Sequence, residues 1–258
     1  MMRAYDRCGM PKHSSDRRTT QFVQSFPKAG LLAKSLDQPL EKLTDRLGRV
    51  QNKAYSYIVR SVALNSDSQF FEQHGSGPNF QGDALTLCTC KHQMRSRLSV
   101  DQWQAGVWIA GFTSRTIHAE QHWLFYLAKV ESAYDSHSDL WSSMDADSRN
   151  AKAAHLHYLG DVFKPKHPKP TRNARFLPSR YLMPSMHAHR KKPGDTGWYQ
   201  DIKYKHVSKG GTTPLLVADP KQTFIWKEPI IFLSKNHCRD YFKWTSLQEL
   251  IAQLREAR

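Results

Sequence analysis

Val107-Trp108-Ile109-Ala110-Gly111-Phe112 and, after a polar loop from Thr113 to Gln121, His122-Trp123-Leu124-Phe125-Tyr126-Leu127-Ala128-Lys129-Val130 decide the architecture of this chain. Both runs are rich in aromatic and branched apolar residues, so they read as successive strands. On the N-terminal side, Tyr55–Val62 within AYSYIVRSVAL reads as a first strand and Ala84–Cys90 (ALTLCTC) as a second. On the C-terminal side, PLLVADP from Pro214 and PIIFLSK from Pro229 read as two more, bounded by their prolines. Short strands in series predict an α+β domain on a small, strongly bent sheet or barrel rather than alternating βα units.

Helices flank this sheet. Leu36, Leu40, Leu43 and Leu47 form a helical stripe, begun near Asp37 with Pro39 in its first turn and ended by Gly48. Ser99 is a fair N-cap for a short helix in SVDQWQAG, and Asp145–Ala154 has helical character. The C-terminal TSLQELIAQLREAR reads as an amphipathic helix carrying Leu247, Leu250, Ile251 and Leu254, with Ser246 and Glu249 at capping-box spacing. Residues 1–28 read as a disordered or loosely docked basic arm, and residues 29–258 as a single domain. Within it, 164–192 form a proline-rich basic insertion whose five prolines favour an extended segment.

Charge narrows the function. The 258 residues carry 38 Lys+Arg against 23 Asp+Glu, a formal net charge of +15. Residues 151–210 hold 13 Lys+Arg and 3 Asp+Glu, so two thirds of the excess falls in under a quarter of the chain. A patch of this kind suits a phosphate backbone; the alternative is a solvated basic surface. Nothing resembles a membrane span or a secretory signal, and four cysteines without regular spacing describe no disulfide framework. A cytoplasmic protein with reduced thiols is expected.

Motifs for common chemistries are missing. The sequence has no Walker A loop, no dinucleotide-binding glycine fingerprint and no H-E-x-x-H helix, and it calls for no cofactor. His118-Ala119-Glu120 has the H-x-E form of a zinc deaminase but lacks the downstream P-C-x-x-C. Cys88, Cys90 and His92 would share a face of an extended strand, but a structural zinc needs a second pair and the only distant candidates are His237-Cys238 and Cys8, so core packing is expected and no metal site. Gly75-Ser76-Gly77-Pro78-Asn79 reads as an inter-strand loop or as a loop whose backbone approaches a ligand. Lys91, His92, Arg95 and Arg97 are cations placed for phosphate, or a solvated face. His187, His189 and Asp195 lie beside Trp198 and Tyr199, a combination able to bond a base edge while a ring stacks on it.

The order of these motifs resembles the nucleotide modification associated domain families, found near base-modification and phage-conflict systems. Gly75, Pro78 and Asn79 resemble the family's G-x-x-PN loop, and Thr86, Leu87, Cys90, Lys91 and Arg95 its TL-x-x-CK-x-x-x-R strand. Gly106, Trp108 and Gly111 are similar to its GDW-x-x-G piece, with Val107 in place of the acidic residue. Gly160-Asp161 is similar to a later G-D element. The order of strands and turns also looks like PUA-like barrels of the EVE and YTH type, which hold a base in an aromatic cleft; that analogy implies Trp103, Trp108 and Trp123 as cleft rings. The implied function is recognition of DNA or a nucleotide with a modified base. Lys91, Arg95, Arg97 and residues 164–192 would hold phosphates, and Asn79, His187, His189 and Asp195 would meet the base. The rival is an enzyme acting on a base, with Cys90, Lys91, His187, His189 and Asp195 as catalytic candidates; a third reading is a module for an acidic protein.

Overall fold

The computed structural model describes residues 23–115, 120–154, 161–167, 172–182, 202, 205–206, 211–237 and 240–257. It is an α+β fold: a strongly curled half-barrel sheet with a few helices. No helix among these residues is long and apolar enough to cross a membrane.

The sheet is organised by β6 (His122–Tyr134), the longest strand. Along one edge it pairs antiparallel with β5 (Trp108–Phe112). Its other edge is shared: β10 (Ile231–Leu233) pairs with its first residues and β9 (Leu215–Ile225) with the rest. Beyond β5 lie β1 (Ala54–Ile58), which pairs parallel to it, and then β11 (Phe242–Trp244). β4 (Thr86–Leu87) pairs with β9, and β12 (Leu254–Glu256) with β10. Two ribbons stand apart, β2 (Val62–Leu64) with β3 (Phe71–Gln73) and β7 (Lys205–His206) with β8 (Gly211–Thr212). Register shifts at Gly111/Phe112 and around Val130 bend the sheet, as bulges do. Gly111 is required there: a side chain would run into the Tyr126 ring and Val59. Every residue of β1 and β5 is buried, so both faces of the sheet are covered.

The β5–β6 pair, α4 (Val100–Gln104) and α6 (Ala146–Ala154) form where the local patterns predict. Ser99 and Gln102 close a reciprocal capping box on α4, and Asp145 accepts the Ser148 amide at 2.7 Å ahead of α6.

Other expectations need correction. The first strand stops at Ile58, because Val59 turns the chain through a Val62 N–H to Val59 carbonyl bond and β2 leaves for its own ribbon. Only Thr86 and Leu87 of ALTLCTC enter the sheet. The leucine helix, α2 (Leu40–Leu47), begins after Pro39, which occupies the N-cap position; it follows a short α1 (Gly30–Lys34). Asp37 does not cap it: in a left-handed conformation, its carboxylate accepts the Lys227 and Glu228 amides. β9 does not stop at Pro220 but runs through it, because residues 219–222 bulge out of the pairing with β6, where a missing N–H costs nothing. The C-terminal helix, α7 (Leu247–Ala252), ends early, and Leu254–Glu256 leave it to complete β10. In the proline-rich insertion, the described part turns into two short 3-10 segments at Arg172–Phe176 and Pro178–Arg180, with Pro165 bridged to Tyr181.

Part of the basic arm is docked. Gln24 is buried: its amide nitrogen donates to the Gln73 side chain (2.8 Å) and the Pro78 carbonyl (3.0 Å), its oxygen accepts the Phe80 amide, and Phe26 stacks on Phe80.

Candidate functional site

The segment 79–95 carries Asn79, Cys90, Lys91 and Arg95 of the sequence's candidate residues, and two residues from far along the chain hold it. Asn79 and Thr86 exchange backbone hydrogen bonds at 2.9 and 2.8 Å, closing the loop between them. The Asn79 side chain accepts the Gln81 amide at 2.9 Å, an Asx turn that shapes the loop. The carbonyls of Asn79, Gln81 and Ala84 then converge on the Lys152 ammonium of α6, at 3.1, 3.0 and 2.9 Å. An ammonium has three donors, so all of them are satisfied. The Asp161 carboxylate accepts from the Thr86 hydroxyl (2.5 Å) with one oxygen and from the Cys88 amide (2.7 Å) with the other. Lys152 therefore clasps one end of the segment and Asp161 the other.

Beyond Cys88 the chain reverses. Lys91 takes a left-handed conformation, φ 55°, and caps α3 (His92–Arg95). Arg95 is buried and braces the turn, donating to the Cys90 carbonyl (2.8 Å) and the Pro214 carbonyl (2.6 Å). Its own carbonyl accepts the Trp103 indole N–H at 2.8 Å. The left-handed turn breaks the alternation that would have put Cys88, Cys90 and His92 on one face. Among the described residues no group of three or more His, Cys, Asp or Glu is placed to hold a metal ion.

Burial sets the electrostatics. Desolvation pushes the Asp161 carboxyl up to about 6, against the Thr86 hydroxyl, the Lys152 and Arg95 charges and the Cys88 amide, which favour the ionised form. Lys152 is brought down to about 8 by the same burial, opposed by Asp161. Burial and the neighbouring carboxylate raise the Cys88 thiol well above its ordinary value, which keeps it protonated and a poor nucleophile. Tyr126 donates to the Tyr57 hydroxyl at 2.9 Å, and burial keeps both phenols neutral.

By register, Tyr55, Tyr57, Gly111 and Tyr126 share one face of β1, β5 and β6. The Lys91 ammonium lies 5.5 Å from the Tyr57 ring centre. The Arg97 guanidinium lies 5.4 Å from that of Tyr241, whose ring is 6.1 Å from Tyr55. Lys91 thus sits over a tyrosine of β1, and Arg97 over Tyr241, the residue before β11. Cys90 is half-buried at the rim, and its thiol acts on both buried phenols electrostatically.

Other expected residues are placed differently. Asn79 and Arg95 are buried and spent on internal hydrogen bonds, so Arg95 is a brace rather than a surface phosphate ligand. Trp103 and Trp108 are sealed in the core, 0% and 1% exposed, and offer no ring face to a base. Trp103 packs on Tyr55. Trp123 is half-buried, edge-on to Phe232. Gly77 is packed against Gln73 and Ser61, and Gln24 bonds the Pro78 carbonyl, so the glycine loop is braced from within. His118, His187, His189 and Asp195 lie outside the described residues.

Sequence reasoning missed Lys152 and the tyrosine pair, and met Asp161 only as half of a G-D dipeptide. Asp161 did leave a trace, being one of only 3 acidic residues in the basic stretch 151–210. Lys152 and the tyrosines left none, because a helix lysine and strand tyrosines are ordinary. No protein-family model, curated protein or solved structure matches the chain.

Proposed function

We propose that this protein recognises nucleic acid or a nucleotide, with a modified base as its distinguishing feature, in a base-modification or phage-defence system. The observation that carries the reading is the placement of Lys91 and Arg97 over Tyr57 and Tyr241, on a turn held by the buried Asp161–Lys152 frame. A guanidinium fixed over a ring presents both a charge for phosphate and a flat surface for a base. The net charge of +15 and the motif order resembling the nucleotide modification associated domains support the same partner. A PUA-like cleft is part of the proposal. With Trp103 and Trp108 in the core, its ring is the half-buried Tyr241.

The test is binding of modified and unmodified oligonucleotides across a salt series, with Lys91→Glu and Arg97→Glu alongside. Removing one cation from a phosphate lowers the slope of log affinity against log salt by about one. Affinity indifferent to salt removes the phosphate model.

A second reading, a base-modifying enzyme, is favoured by one specific feature: a carboxyl raised to about 6 beside an ammonium lowered to about 8, with the Cys90 thiol at the rim. Both carboxylate oxygens are already hydrogen-bonded, so Asp161 acts there as a positioning residue. Turnover of an oligonucleotide that disappears in Cys90→Ser while binding persists selects the enzyme.

A further inference from the structure

The opposite face of β1 carries a second polar system. Trp244 donates its indole N–H to the Ser56 hydroxyl at 2.8 Å, and Ser56 lies 2.7 Å from His237 Nε2. Ser56 is fully buried and bonds both the indole and the imidazole, so His237 is held in place. The Lys235 ammonium stands 4.1 Å from the Trp244 ring centre and 4.5 Å from that of Phe242. At the connecting end of the β5–β6 hairpin, Arg115 donates to the Glu120 carbonyl (2.7 Å) and to the Asn236 side chain (2.9 Å). The His122 ring, bonded through Nδ1 to the Thr113 carbonyl, lies 6.3 Å from that of His237. Strand pairing enforces this convergence, because His122 opposite Leu233 brings the residues after β10 beside the hairpin end.

The charges of Arg115 and Lys235 are ordered and, among the described residues, unneutralised. Lys235 is held at two rings and Arg115 by two hydrogen bonds, so little side-chain freedom remains to be lost on binding. Among the described residues no carboxylate pairs with either. The acidic side chains nearest in sequence, Glu120 and Asp240, are exposed, and Glu120 offers Arg115 its backbone carbonyl.

We propose that Arg115, His122, Lys235 and His237 form a phosphate-binding site for the backbone of a nucleic acid, separate from the tyrosine face. The choice of ligand rests on the nucleic-acid reading above; the site rests on its own residues. Two ordered cations, two imidazoles and a half-exposed Phe242 ring suit a phosphodiester strand passing the hairpin end.

The experiment measures anisotropy of labelled single-stranded and duplex oligonucleotides against the full chain over a salt series. It compares wild type, Arg115→Glu with Lys235→Glu, and Lys91→Glu with Arg97→Glu. Circular dichroism and thermal unfolding report the fold. Arg115→Gln with Lys235→Gln repeats the test in case charge reversal disturbs the loop. The Arg115/Lys235 pair is expected to lose about ten-fold or more in affinity, with the salt slope reduced by about two. Unchanged affinity and slope in both Arg115/Lys235 variants overturn the site, whatever the other pair does. Loss confined to the Arg115/Lys235 pair supports this site and removes the tyrosine face from binding. Wild-type protein that binds polyglutamate but neither oligonucleotide at matched salt assigns the patch to an acidic protein and also overturns it.

Discussion

On one face of β1, Tyr57 lies under a turn framed by Lys152 and Asp161, both fully buried and with their hydrogen-bonding groups engaged inside the protein. On the other, Ser56 anchors His237 beside Arg115 and Lys235, whose charges meet no carboxylate among the described residues. The first system has already used its polar groups to hold the fold. The second has ordered its charges and, among the described residues, left them unneutralised. Burial is the difference: a charge removed from water must be fully compensated within the protein, whereas one at the surface can wait for a ligand.

The sharpest break of this contrast is Lys152→Met. It leaves three buried carbonyls without their donor and Asp161 with only the Arg95 charge of the two that favour its ionised form, and is expected to cost about 3 kcal/mol or more in denaturant unfolding. A loss below about 1 kcal/mol would show that the clasp is not what secures residues 79–88.

Gln24→Ala follows. It removes three buried hydrogen bonds that tie the docked arm to Gln73, Pro78 and Phe80, on either side of and within the glycine loop, at an expected cost of about 1–2 kcal/mol, with faster hydrogen exchange at the Phe80 amide.

The pH dependence of stability isolates the frame further. The native Asp161 carboxyl, at about 6 against an ordinary 3.8, binds its proton more tightly than the unfolded chain does. Its contribution is therefore complete below about 4 and lost as pH rises through about 6. Lys152, at about 8 against 10.5, acts in the opposite sense: its contribution is present above about 10.5 and lost as pH falls through about 8. Asp161→Asn is expected to flatten the acidic limb and, by removing the charge that opposes the lowering of Lys152, to move the alkaline limb to lower pH. Unfolding midpoints between pH 4 and 7 that fall equally in the variant would place the titrating group elsewhere.

The smallest effect lies on the other face. Arg115→Glu with Lys235→Glu is expected to change unfolding free energy by about 1 kcal/mol, since Arg115 is exposed and the half-buried Lys235 gives up only its contacts with two rings. A large loss would show that these residues belong to the fold as firmly as Lys152 does.

Much of the local architecture was legible in the residue pattern. The aromatic and branched apolar runs marked β5 and β6, Ser99 marked the start of α4, and Asp145–Ala154 read as the helix that becomes α6; the caps the structure shows there are bonds to near neighbours in the chain. Of the candidate site, Lys91 and Arg97 were legible as cations after a strand. Their tyrosine partners were not, since which rings they meet depends on β11 lying beside β1.

What the residue string settled by itself was confined to windows of about ten residues, where periodicity, caps and turn chemistry act between neighbours along the chain. What only the three-dimensional arrangement decided lies beyond that range: the parallel β1–β5 pair, a strand passing through Pro220, a helix that surrenders Leu254–Glu256 to β10, and a lysine and an aspartate closing on residues 79–88. In each case a free backbone edge or a buried charge had to be satisfied, and the group that satisfied it came from wherever the fold brought one within reach.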